Sequence, residues 1–90
     1  MFVMFYNYRI KEISYSKQNM FIIQIRKNWF SKWINKDYLY GSFNDTFARL
    51  SDIIKNIYIS YIIELKSTSN FNIEGERYYT FKVKGTKRKS

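Results

Sequence analysis

Residues 42–65, SFNDTFARLSDIIKNIYISYIIEL, carry the reading on which the fold turns. The first half opens with helix-start chemistry, because Asn44, Asp45 or Thr46 can cap the free N–H groups of a first turn. Phe47, Leu50, Ile53, Ile54 and Ile57 then recur at helical spacing, with Arg49, Ser51, Asp52 and Lys55 on the opposite side. The second half admits two readings. Apolar residues at 57, 58, 61, 62 and 65 would extend the helical stripe, but Ile59 and Ile63 would then make the remaining face apolar too. As a strand, Ile57, Ile59, Tyr61, Ile63 and Leu65 line one face, with Ser60 and Glu64 on the other. The β-branched and aromatic content favours the strand. A helix over 45–56 and a strand over 57–66 are therefore expected.

Working outward, residues 5–15 (FYNYRIKEISY) alternate in part. Tyr6, Tyr8 and Ile10 share one face and Ile13 and Tyr15 the other, which predicts a bulge or twist near Lys11 and Glu12. SKQN at 16–19 is a polar turn, and a strand follows from Met20 to about Phe30 with Phe21, Ile23 and Ile25 on one face. SKWINKDYLYGS is a third strand or an ordered loop, ended by Gly41. On the C-terminal side, 67–76 is a polar loop. RYYTFKVKG then reads as a strand with Tyr79, Phe81 and Val83 inward and Thr80, Lys82 and Lys84 outward. The expected fold class is α+β: a small antiparallel sheet with one helix on a face, in the order ββ(β)αββ. It forms a single domain over 1–85 with a frayed basic tail over 86–90.

Composition narrows the function. The 90 residues contain no histidine and no cysteine, so the commonest general base, the best nucleophile and the usual transition-metal ligands are missing. Seven carboxylates, of which only Glu74 and Glu76 are close in sequence, show no metal-loop spacing. No enzyme and no cofactor is expected. No apolar run reaches the ~18 residues of a membrane span. MFVMFYNY lacks the basic n-region of a signal peptide, so a cytoplasmic setting is expected.

Sixteen basic against seven acidic residues give a net charge of +9, and aromatics make up 21% of the chain. The charge attracts phosphate or an acidic protein surface. It also reflects residue usage, since eleven of the sixteen are Lys beside 13 Ile, 8 Asn and no Pro, a pattern that AT-rich codons supply. Two clusters stand out. RKNWFSKWINK at 26–36 brings Arg26, Lys27, Trp29, Lys32, Trp33 and Lys36 together. Its tryptophans, four apart, project to one side in either a strand or a helical turn. The layout matches a single-strand stacking platform, where each stacked base contributes about 1–3 kcal/mol. The competing reading packs one or both tryptophans over the helix as core anchors. The second cluster is Tyr78, Lys82, Lys84, Lys87, Arg88 and Lys89, an outward strand face running into the tail.

The strand-rich start, the segment YGSFNDTFARLSDIIKN and the AT-rich usage together resemble small proteins of phages and mobile elements, in style rather than by motif. That resemblance implies stoichiometric binding, including inhibition of host nucleases of the CRISPR kind, and transfers no residue roles. Three functions are expected to compete. The first is a modulator of a protein or ribonucleoprotein target with an acidic or nucleic-acid-bearing surface. The second is direct, weakly specific DNA or RNA binding. The third is a self-associating protein that pairs strand 5–15 or strand 57–66 across a homodimer.

Overall fold

The computed structural model describes residues 7–28 and 30–89. It contains β1 (Tyr8–Ile13), β2 (Met20–Ile25), β3 (Ile34–Tyr40), α1 (Phe43–Ile57), β4 (Tyr58–Thr68) and β5 (Glu76–Lys87). The five strands form one sheet in the order β3-β2-β1-β5-β4, and every neighbouring pair is antiparallel. One helix on an antiparallel sheet is the expected α+β arrangement, and SKWINKDYLYGS supplies a true third strand.

Helix α1 starts earlier than its cap candidates suggest. Ser42 is the N-cap, its Oγ accepting from the Asp45 N–H at 3.1 Å, and Thr46 is buried with its hydroxyl donating to the Ser42 carbonyl. Gly41, at φ +131°, makes the turn into the cap that a side chain would strain. The helix ends at Ile57 and passes into β4 with no intervening loop. Tyr58 is already extended, and its N–H donates to the Ile54 carbonyl. Burial of the Tyr58 ring at this junction holds the chain in the strand conformation that the β-branched run favours.

The helix presents Leu50 and Ile54, both fully buried, to a sheet face built from Tyr8, Ile10, Phe21, Ile23 and Phe81. Each of these side chains contributes on the order of 1.5–3 kcal/mol by leaving water. Phe43 and Phe47 close the side of this core, with ring centroids 4.5 Å from Tyr79 and 5.6 Å from Phe81. Trp33 is not a core anchor: its ring lies on the other face of the sheet, over Arg9. Trp29 lies outside the described residues, as do Phe5 and Tyr6.

Two further expectations change. Strand β1 pairs in unbroken register with β2 on one side and β5 on the other, so no bulge falls at Lys11 and Glu12. Tyr8, Ile10 and Glu12 simply point to the helix, and Glu12 occupies a buried position that the period-two pattern reserves for an apolar residue. Being central, β1 has no free edge to pair across a dimer. At the C-terminus, β5 runs through Thr86 to Lys87. Arg88 then donates from its backbone N–H to the Ile57 carbonyl at 2.8 Å and from Nε to the Lys55 carbonyl at 3.2 Å. The segment expected to fray from residue 86 is thus pinned to the end of the helix through Arg88.

Bulges shape both edges. Between β2 and β3 the register shifts at Ile23/Gln24, which leaves Lys36 as an extra residue. Between β4 and β5 it shifts at Tyr58/Ser60 and at Leu65/Ser67. Near the first of these, Gly85 lets the Ser60 backbone come close: a Cβ on residue 85 would lie 2.0 Å from the Ser60 carbonyl oxygen. Gly85→Ala therefore forces β4 and β5 apart, and we expect a loss of about 3 kcal/mol, read from the urea midpoint.

Candidate functional site

A strand pattern of period two gives each sheet two faces, and α1 covers only one of them. The opposite face collects every second residue. The registers Arg9↔Gln24, Lys11↔Ile22, Arg9↔Thr80 and Lys11↔Tyr78 place these side chains side by side. Asn35 and Tyr38 of β3 continue the face beyond β2, and Lys82 and Glu64 continue it beyond β1 through β5 and β4.

At its centre the Arg9 guanidinium carbon lies between two rings, 4.1 Å from the Trp33 centroid and 4.4 Å from that of Tyr78. Arg26 stands 4.3 Å over the same tryptophan. Hydrogen bonds fix this stack. Arg9 Nε donates to Gln24 Oε1 at 2.6 Å, Gln24 Nε2 to Asn35 Oδ1 at 2.8 Å, and Asn35 Nδ2 to the Tyr38 hydroxyl at 2.9 Å. The relay crosses three strands and sets the rotamers of Arg9 and Tyr38 together. Burial under the rings lowers the Arg9 pKa, opposed by Tyr78 and Glu76, yet a guanidinium remains a cation at neutral pH. Next to it, Lys11 Nζ pairs with Glu76 at 2.9 Å, which pushes the lysine up and holds the carboxyl below its ordinary range. Tyr38 and Tyr40 stay more than half exposed. A depression of about 400 Å³ at the β1–β2 turn is lined by Tyr15, Ser16, Lys17, Gln18 and Tyr40. The surface thus offers cations, ring faces and amide donors, and few carboxylates.

The residues singled out in the sequence separate. Arg26, Trp33 and Tyr78 converge on this face around Arg9. Lys82 and Lys84 share it through β5, where Lys84 Nζ lies 3.2 Å from Glu64. Lys27 and Lys32 are exposed on the connection between β2 and β3. Lys36 goes to the other side, lining a groove with Ile25, Arg49, Ile53, Asn56 and Ile57. Lys87 stands 5.9 Å over the Tyr58 ring at the helix end, where Arg88 is also held, and Lys89 follows it. Arg9, Lys11, Gln24, Asn35 and Tyr38 were missed. No motif marks them; the signal was the alternation of β1, which puts Arg9 and Lys11 opposite Tyr8 and Ile10.

A second polar cluster lies on the helix side. Glu12 is 5% exposed and both its oxygens are occupied: Oε1 accepts from the Tyr79 hydroxyl at 2.5 Å and Arg77 Nε at 3.2 Å, and Oε2 from Asn19 Nδ2 at 2.6 Å. Arg77 also stacks 4.0 Å over Phe71. The cluster ties β1, the β1–β2 turn, β5 and the β4–β5 loop into one corner. Its partners are satisfied by one another, which marks it as structural.

The chain matches no known protein family, no curated protein sequence and no solved structure.

Two outcomes follow from the Glu12 corner. Glu12→Ala leaves three donors without their acceptor and should lower stability by about 3 kcal/mol in chemical denaturation. Burial, and then the hydrogen bond to Glu12, pushes the Tyr79 phenol from 10.0 up to about 12. The folded state therefore keeps this proton after the unfolded chain has lost it. The associated stability is whole below pH 10.0 and is lost as pH rises towards about 12. Tyr79→Phe should flatten that part of a stability-against-pH curve; burial beside Tyr58 raises Tyr8 as well and leaves a residual slope.

Proposed function

We propose that the chain is a non-catalytic binding protein whose helix-free sheet face holds single-stranded nucleic acid, either free or displayed by a ribonucleoprotein on which it acts stoichiometrically. The observation that carries this reading is the Arg9 stack between Trp33 and Tyr78, locked by the Gln24–Asn35–Tyr38 relay. Such an arginine is already oriented and partly desolvated, so its guanidinium would meet a phosphate at little further entropic cost. Tyr38 and Tyr40 on one flank offer ring faces to unstacked bases, while Lys82 and Arg26 add positive potential along the strand's path. A duplex keeps its bases paired and turned inward, so a flat face of rings favours single strands. No base-edge reader is distinguished here, which makes weak sequence preference the expectation.

Fluorescence anisotropy with a dye-labelled single-stranded oligothymidine and a duplex control tests the reading. Arg9→Ala or Tyr38→Ala should weaken single-strand binding about tenfold, with a linear fall in log affinity against log salt. Lys36→Gln, on the helix side, should change it little. No binding at about 50 mM salt, or equal losses from Lys36→Gln and Arg9→Ala, would sink the assignment.

A further inference from the structure

The outer edge of β4 presents a surface that the stack around Arg9 leaves unexplained. We propose that two copies of the chain associate through their β4 edges into one continuous ten-stranded sheet. This does not rest on the nucleic-acid reading.

Strand β4 ends the sheet order and is eleven residues long, and among the described residues no strand pairs with its outer side. The opposite edge is blunted. In β3, seven residues long, a bulge throws out Lys36, and Asp37 is held by Arg49 at 2.6 Å. In β4, three large apolar side chains meet water at a spacing of three: Ile59 at 61%, Ile62 at 63% and Leu65 at 51% exposure. They are symmetric about Ile62. An antiparallel pairing centred there sets Ile62 against its own counterpart and Ile59 against Leu65 of the second copy, twice over. Within the regular run the same register places Glu64 opposite Ser60, so like charges do not face each other directly. A two-fold contact demands this kind of self-complementarity. The bulges at Tyr58/Ser60 and Leu65/Ser67 bound a regular run over 60–65, so the ladder itself is short, Ser60 to Glu64 about Ile62, and the Ile59–Leu65 contacts sit at its bulged ends.

Each copy carries +9, so long-range repulsion opposes the contact and salt relieves it. Dimerisation should therefore strengthen with salt, whereas phosphate binding by the open face weakens. Sedimentation velocity without nucleic acid, at micromolar concentrations in about 50 mM and about 500 mM salt, should show a species of twice the 11.1 kDa chain mass, more populated at high salt. Ile62→Lys and Ile62→Glu should each weaken the dimer at least tenfold without moving the thermal midpoint by much, because the side chain is exposed. Mixing the two variants should restore dimer mass, since opposite charges then meet at the two-fold axis. Tyr38→Lys, on the other edge, should leave the dimer intact. A monomer mass at both salts, failure of the mixed variants to pair, or loss of the dimer through Tyr38→Lys would overturn the proposal. None of these results bears on oligothymidine binding.

Discussion

Four antiparallel steps separate β3 from β4 in the sheet, so these two edge strands run in the same direction. A chain that leaves β3 at one end must return to the other end before β4 can begin, and α1 is that return. Its fifteen residues span about 22 Å, close to the ~23 Å of the seven residues of β3. Continued to residue 65, the helix would reach about 34 Å, well past the length of β3 that it has to retrace. The abrupt helix-to-strand switch at Tyr58 is thus a requirement of length as much as of local propensity. Everything else follows from this return: which face is covered, which edges are free, and where the buried Tyr58 must sit.

One helix covers one face. The other face is left to water, and a sheet rich in Ile and Tyr can tolerate that only if its outward positions carry charge and hydroxyls. Arg9, Lys11, Gln24, Thr80 and Lys82 meet the demand, each next to a buried or partly buried residue on its own strand, and Asn35 of β3 joins them. The pairing Lys11–Glu76 and the contacts of Glu64 with Lys66 and Lys84 temper the positive charge without cancelling it. The solvent-facing requirement of the fold and the chemistry that favours phosphate are in this way the same set of residues.

Much of this was legible beforehand because it depends on periodicity. Phe47, Leu50 and Ile54 repeat at the helical period, and Tyr79, Phe81 and Val83 at the strand period, and both sets fall into one core. Three things were hidden. Glu12 breaks the strand pattern with a carboxylate, and only its distant partners Tyr79 and Arg77 make that position tenable. Lys36 belongs with Trp33 in sequence, but once the segment is a strand the odd step of three residues puts it on the opposite side of the sheet. The Arg9 stack depends on Trp33 folding back over β1 and on Tyr78 arriving from β5, contacts across 24 and 69 residues that no local spacing records.

The stack also decides what kind of contact the face can make. With Arg9 between Trp33 and Tyr78, the ring faces turned towards it are occupied by a guanidinium and are closed to a base. Tyr38 and Tyr40, held on the β3 flank, stay more than half exposed. The surface is therefore divided: the centre presents rigid cationic donors, and the flank presents exposed rings. A centre of this kind has most to offer a flexible, highly charged chain, whose own ordering cost is large and whose charges recur at short intervals. A folded acidic protein with scattered carboxylates would match the two flanking tyrosines and the narrow cationic centre less well, which is why a single strand is the ligand we propose for this face.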